Sequence, residues 1–359
     1  MSQIPLLLGG LALFLYGMNQ MGKGLELLAG NKLQNILEKL TSKKIFGILI
    51  GALVTAIIQS SSATTVMAVG FVNSKILTLT QAVYIIMGAN IGTTITGLLL
   101  TLDVDLIAPI LAFVGMIMML FINKRKYKYM GTILFGFGVL FMGMGIMGDA
   151  VKPLASNEAF TNILAGAKNP IVAIIIGALF TAIIQSSSAT TGILITLAAN
   201  NLIGFQEAFY LVLGQNIGTC ITSVLASMGT SKNARRVSVT HITFNFIGTV
   251  IFASLSFVLP VIHFIETLTP NAAQQIAYMH TLFNISTTII LYPFTNMLVD
   301  ISHAVVKGED ERSKGLNLKY LNPNGYHDVI PTLASIKQEI LRMLGYAKTN
   351  LNLSIENIL

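Results

Sequence analysis

Long apolar runs follow one another along the chain, at residues 6–16, 45–58, 107–122 and 133–146, with short polar punctuation between them. Runs of this length and number predict helices that cross a bilayer rather than the core of a soluble domain. Two segments break the pattern. Residues 45–71 are apolar except at their middle, where Gln59-Ser60-Ser61-Ser62 interrupts. Each arm holds about fourteen residues, roughly 21 Å of helix against a hydrocarbon core of about 30 Å. The segment therefore predicts a re-entrant helical hairpin with Gln-Ser-Ser-Ser at its tip. Irregular backbone at that depth is tolerated only against protein or a wet cavity, which implicates the tip in function. Residues 76–100 carry Gly88-Ala89-Asn90-Ile91-Gly92-Thr93-Thr94 at their centre and predict a broken spanning helix. Residues 106–122 predict a continuous one.

The pattern then recurs. Residues 50–65 read IGALVTAIIQSSSATT and residues 176–191 read IGALFTAIIQSSSATT, an offset of 126 positions. The same offset carries Gly88, Asn90, Gly92 and Thr93 onto Gly214, Asn216, Gly218 and Thr219, and Gly10, Gly17 and Met21 onto Gly136, Gly143 and Met147. A duplicated unit inside an apolar chain points to a transporter whose halves move about a shared site; a solenoid would repeat at a far shorter period. Three crossings and one hairpin per unit make an odd count, so the second copy is expected upside down. The expected fold class is all-α integral membrane, with two inverted-topology repeats. The first repeat covers 1–126. The second covers 127–304 and includes two additional spans, near 237–259 and 275–299. Residues 305–359 are expected to be a cytoplasmic linker with turn punctuation at Asn322-Pro323-Asn324-Gly325, then an amphipathic helix over 331–359 (Leu333, Ile336, Ile340, Leu344).

Charge bears on the orientation. If residues 124–128 face the cytoplasm, thirteen of the fifteen Lys and Arg before position 301 lie inside, and Lys152 and Lys168 lie outside with Asp103, Asp105, Asp149, Glu158 and Glu266. The positive-inside rule favours this arrangement, with the N-terminus outside and the C-terminus cytoplasmic. The composition agrees with a lipid solvent: 53% hydrophobic and 10% charged residues, with a mean hydropathy of +0.74. The net charge of +7 sits in short loops, so it reads as topology control rather than nucleic-acid binding. No basic flank precedes the first apolar stretch and no small-residue cleavage site follows it, so it is expected to be a retained span. Cys220 is the only cysteine and forms no internal disulfide.

Two tips and two interrupted helices would surround one cavity with neutral polar groups. An oxyanion there would be held by backbone N–H groups at half-helix N-termini and by hydroxyls, with Ser60, Ser61, Ser62, Thr64, Ser186, Ser187, Ser188 and Thr190 as donors. A multiply charged anion without a fixed cation is costly to bury unless cations enter with it. Sodium takes oxygen ligands, so Gln59, Thr65, Asn90, Thr93, Gln185, Thr191, Asn216 and Thr219 are its candidates, with carbonyls freed where Gly88–Gly92 and Gly214–Gly218 unwind. The bland alternative is that Ser and Thr bond their own backbone and the glycines only pack helices; Gly17, Gly51, Gly136 and Gly143 read that way, Gly92 and Gly218 as helix breaks. His241-x-x-Phe244-Asn245 and His280-x-x-Phe283-Asn284 form a further pair, open to a proton relay or to helix clasping. No spaced carboxylate, His or Cys set points to an enzyme, and a channel would need a continuous lined pore.

At the two Gln-Ser-Ser-Ser motifs, each followed about thirty residues later by Gly-x-Asn-Ile-Gly-Thr, the chain resembles the type II sodium/phosphate cotransporter family over roughly residues 1–300. The resemblance implies alternating access about the hairpin tips, inorganic phosphate as substrate and sodium as coupling ion, with no other cofactor. Gln215 and Cys220 stand where the first copy has Ala89 and Thr94, so the halves need not bind the same ion. Residues 331–359 look like the start of a helical domain similar to the phosphate-regulon regulator PhoU. The short segment 149–169, in place of the large loop of animal members, implies a prokaryotic cell membrane. Another oxyanion or a dicarboxylate as substrate, and phosphate efflux instead of uptake, stay open, as does the oligomeric state.

Overall fold

The computed structural model describes residues 3–30, 44–104, 106–153, 168–308 and 329–356, with side chains of 335–352 in the last segment. Every regular element among them is helical. The first copy holds α1 (Gln3–Ala29), α2 (Lys44–Ile58), α3 (Ser61–Asn73), α4 (Leu79–Leu99) and α5 (Ala108–Phe121). Its counterparts are α6 (Arg125–Val151), α7 (Pro170–Ile184), α8 (Ser187–Ala199), α9 (Phe205–Gly218) with α10 (Ile221–Ser227), and α11 (Lys232–Val258). Then come α12 (Val261–Leu268), α13 (Ala272–Leu291), α14 (Thr295–Val305) and α15 (Val329–Glu356). Residues 1–307 form one compact unit and 308–359 another. The readings placed on Asp105, Glu158, residues 31–43 and the turn at Asn322–Gly325, and that on the side chain of Leu333, lie outside the described residues.

Among the described residues, five stretches are long and apolar enough to cross a membrane: α1, α4, α6, α9 with α10, and α11. Helices α2, α5, α7 and α8 are apolar but shorter. The segment expected to span at 275–299 is α13 and α14, bent by 87° at the break and, taken as one span, long and apolar enough to cross. Pro293 lies there and cannot donate to the helical ladder.

Glycines bring helix backbones together. A Cβ on Gly17 would collide with Gly136 and Leu140, and one on Gly136 with Gly17 and Met21; Gly143 meets Gly10 and Phe14, and Gly10 meets Gly143 and Met147. Rising numbers on α1 thus pair with falling numbers on α6, so these equivalent helices run antiparallel. Positions 10 and 17 of one copy meet 17 and 10 of the other.

Inside each copy a second contact repeats. Gly51, Gly88 and Gly92 sit against the carbonyls of Ile85, Ile48 and Ala52, seating α2 on α4; Gly177, Gly214 and Gly218 sit against those of Leu211, Ile174 and Ala178, seating α7 on α9. This corrects the broken-helix expectation. Helix α4 runs unbroken through Gly88 to Thr94. In the second copy the helix only tightens at Thr219 and Cys220, both right-handed, where the Cys220 N–H bonds to the Ile217 carbonyl three residues back. Gly92 therefore permits close approach and frees no carbonyl along α4, while Gly218 permits the same approach beside the tightened turn, where the Asn216 carbonyl accepts from the Cys220 thiol at 3.6 Å in place of the Cys220 N–H; Gly17, Gly51, Gly136 and Gly143 pack helices as expected.

Helix α15, taken alone, continues through the region expected to be amphipathic, with Ile336, Ile340 and Leu344 exposed along it. Arg342 on the same helix pairs with Glu339 and lies 5.2 Å from the Tyr346 ring centroid.

Candidate functional site

The chain breaks helix between α2 and α3 over two residues. Gln59 is left-handed (φ 58°), and Ser60 is extended and caps α3, its Oγ accepting from the Ala63 N–H at 3.1 Å. Thr55 and Thr64, on either side of the break, touch through a 2.9 Å hydroxyl–hydroxyl bond, so the arms fold back on one another. The second copy repeats each part: Gln185 at φ 58°, the Ser186 Oγ accepting from the Ala189 N–H at 3.2 Å, and a 3.0 Å bond from Thr181 to Thr190. A left-handed non-glycine residue costs about 1–2 kcal/mol. The same residue type tolerates it twice.

Both tips line one cavity of about 580 Å³. Gln59, Ser60, Ser61 and Ser62 come to it from the first copy, and Gln185, Ser186, Ser187 and Ser188 from the second. Ser61 and Ser187 begin thirteen-residue helices, so two helix N-termini converge there. Unpaired N–H groups and about half a positive charge per N-terminus make such a place a ready anion site.

The other candidate residues stand elsewhere. Thr64 and Thr190 do not line the cavity; their hydroxyls hold the hairpin arms and also donate to the carbonyls of Ser60 and Ser186. Thr65 and Thr191 donate to the carbonyls of Ser61 and Ser187. Asn90 and Asn216 are buried behind the tips and donate to the carbonyls of Ile86 and Val212. Thr93 and Thr219 are buried and also absent from the cavity lining. The tips differ in one respect. Gln59 is buried, donating to the Ala56 carbonyl and accepting from Thr96 Oγ1 at 2.9 Å, whereas Gln185 is exposed and its side chain makes no hydrogen bond among the described residues.

Helix α1 supplies a wall that the motifs do not reveal: Leu15, Met18, Asn19, Gly22, Lys23 and Glu26, with Ile58 and Ala63 beside the first tip. The cavity therefore has a fixed ammonium and a fixed carboxylate beside its neutral tips. Lys23 follows the apolar run directly, so in the sequence its charge reads as topology control. Its helical spacing from Asn19 and Glu26 was the available signal.

Bilayer-length helices in two copies, closing polar helix ends around one cavity, define a multi-pass membrane protein built on a duplicated unit. The chain belongs to the Na+/Pi-cotransporter family, whose sequence profile matches residues 13–149 and again 142–268. This is a family of transporters. A Bacillus subtilis protein named only as uncharacterized protein YqeW is 33% identical over 82% of this chain and 95% of its own length. A Salmonella typhimurium protein provisionally named inorganic phosphate export protein YjbB is 28% identical over 94% of this chain, which spans 62% of that relative. The human sodium-dependent phosphate transport protein 2B is 37% identical over 28% of this chain and 15% of its own length. No solved structure matches.

Proposed function

We propose that the chain is a sodium-coupled secondary carrier of inorganic phosphate in the cell membrane. The observation that carries the reading is the convergence of two Ser-capped helix N-termini on one cavity. Phosphate would sit between the tips, accepting from backbone N–H groups and from the hydroxyls of Ser60, Ser61, Ser62, Ser186, Ser187 and Ser188. Thr64 and Thr190 would keep the hairpin arms closed beneath it, in place of binding it directly. Sodium would neutralise the anion's remaining charge, with Gln59 and Gln185 at the cavity and Thr65, Thr191, Asn90, Thr93, Asn216 and Thr219 behind it.

The antiparallel, reciprocal packing of α1 on α6 supports repeats of inverted topology, covering 1–126 and 127–304. The paired Thr bonds at the tips support re-entrant hairpins. With the N-terminus outside, Lys23 and Glu26 fall at the cytoplasmic end of α1, and the cavity is then the inward-open form of an alternating-access cycle. Residues 305–359 would be the cytoplasmic linker and the start of a PhoU-like helical segment.

A second reading is phosphate efflux, favoured by the provisional name of the YjbB relatives. The fold serves either direction, since gradients decide it. In purified protein reconstituted in liposomes, labelled phosphate is expected to follow sodium under an inward and under an outward gradient alike; net gain or loss of phosphate by cells carrying the protein separates the two directions. Flux indifferent to replacing sodium with choline would remove the coupling, and block by succinate without competition from phosphate would remove the substrate.

A further inference from the structure

Seven buried side-chain atoms have no hydrogen-bond partner among the described residues: Gln215 Oε1, Asn245 Oδ1, His280 Nδ1, Asn284 Oδ1 and the hydroxyls of Thr287, Thr288 and Thr295. They lie on α9 and α11 of the second copy and on α13 and α14 after it, and none lines the tip cavity. An unpaired buried polar atom costs about 1–3 kcal/mol, so a cluster of them calls for an occupant.

The two asparagines of the His-x-x-Phe-Asn pair are oriented by their own helices. Asn245 Nδ2 donates to the His241 carbonyl at 3.1 Å, and Asn284 Nδ2 to the His280 carbonyl at 2.9 Å. Only the amide nitrogen can serve there, so each Oδ1 must point away from its own backbone. Asn284 Nδ2 also reaches Asn216 Oδ1 on α9 at 3.3 Å, and Asn245 Nδ2 reaches Cys220 Sγ, one turn after Asn216, at 3.3 Å. Thr287 and Thr288 follow Asn284 by three and four residues, on one face of α13. Elsewhere in the same helices, Thr243 and Thr281 bond the carbonyls of Val239 and Ala277, four residues back. Thr287 and Thr288 do not, and their oxygens stay available. Gly248, one turn after Asn245, lets α11 close on Thr287, while Phe252 stacks edge-on against Phe283 at 5.1 Å, so both helices face this seam.

We infer that Asn284, Thr287 and Thr288, closed by Asn216 and Asn245, form a binding site for a hard monovalent cation of sodium's kind, apart from the hairpin cavity. Every donor is a neutral amide or hydroxyl oxygen, a set suited to sodium and poor for a divalent ion, which needs carboxylates. None of the described His, Cys, Asp and Glu side chains groups into a metal cluster, so a transition metal has no ligand set here. The identity of the ion rests on the sodium-coupled reading; the existence of the site does not.

The test reads binding without transport. Full-length protein in phosphate-free detergent is unfolded thermally while a fluorogenic maleimide reports exposure of Cys220, the single buried thiol. Sodium replaces choline at constant ionic strength. The wild type is expected to gain saturable stability from sodium. Asn284→Ala and Asn245→Ala should raise the sodium midpoint by at least about tenfold, the scale on which metal affinity answers to such losses. Ser61→Ala should leave it unchanged. Asn284→Asp, which adds charge to the same ligand position, should bind at least as tightly, and it decides the matter if the alanine variants do not fold. No sodium response in the wild type, or an unchanged midpoint in both alanine variants, overturns the inference, as does an Asn284→Asp protein that ignores sodium. A response lost in Ser61→Ala but kept in the asparagine variants would also overturn it, by moving the ion to the tips, and would leave sodium coupling intact.

Discussion

Ser61 and Ser187 each open a helix toward the cavity, and each has a neighbouring serine that caps the same helix. Ser60 and Ser186 cap the helices as well as facing the cavity, whereas the next two serines in each motif face it without capping. Ser61→Ala and Ser187→Ala are expected to cut phosphate flux about tenfold or more, the loss of a hydrogen bond to a charged group being about 1.5–3 kcal/mol. Surface abundance and thermal unfolding should stay near wild type in both. Thr55→Val, which removes a buried hydroxyl from the hairpin clasp, is expected instead to lower thermal stability by about 1 kcal/mol. Lys23 makes a different prediction. Lys23→Ala should raise the phosphate concentration needed for half-maximal flux, more at low than at high ionic strength, and Lys23→Arg should restore it. At this scale the repeated Gln-Ser-Ser-Ser motifs were legible, because duplication at a fixed offset singles them out. Lys23 was not, since a charge after an apolar run looks like a topology signal until the cavity beside it is seen.

The helices of each copy meet backbone to backbone. Gly88 and Gly214 have no room for a Cβ against the carbonyls of Ile48 and Ile174, whereas Gly145 has open space around it. Gly88→Ala and Gly214→Ala are expected to destabilise the protein by about 1–3 kcal/mol or to prevent assembly, and Gly145→Ala to be silent, as read by thermal unfolding in detergent. The helix break at each Gln-Ser-Ser-Ser motif could be anticipated from the polar residues in mid-run, and arm length, short of a bilayer at about fourteen residues, is the argument for a re-entrant course. The unbroken α4 could not. A glycine beside Asn and Thr suits either a helix break or a close approach, and only the facing carbonyl of α2 decides between them. The bend after α13 was signalled by Pro293, yet a run of apolar residues across it read as a single span.

Across the whole molecule, equivalent positions end at opposite faces if the copies are inverted. Lys23 and Lys152, near the C-terminal ends of α1 and α6, test this directly. In a Cys220→Ser background, Lys23→Cys should react with an impermeant maleimide only from the cytoplasmic side and Lys152→Cys only from outside; reaction of both from one side would put the copies in parallel. Charge distribution and segment count are what the sequence offers in favour of this arrangement. The convergence of both tips on a single cavity follows from the duplicated motif, whereas the wall that α1 adds, with Lys23 and Glu26, appears only in the folded chain. That convergence is the central claim, and flux across a sealed membrane tests it most directly. With protein reconstituted in liposomes under an imposed sodium gradient, the account predicts concentrative phosphate movement that follows sodium, stops in choline and falls sharply when either Ser61 or Ser187 is replaced by alanine. Phosphate movement that ignores sodium, or survives the loss of both serines, would contradict it.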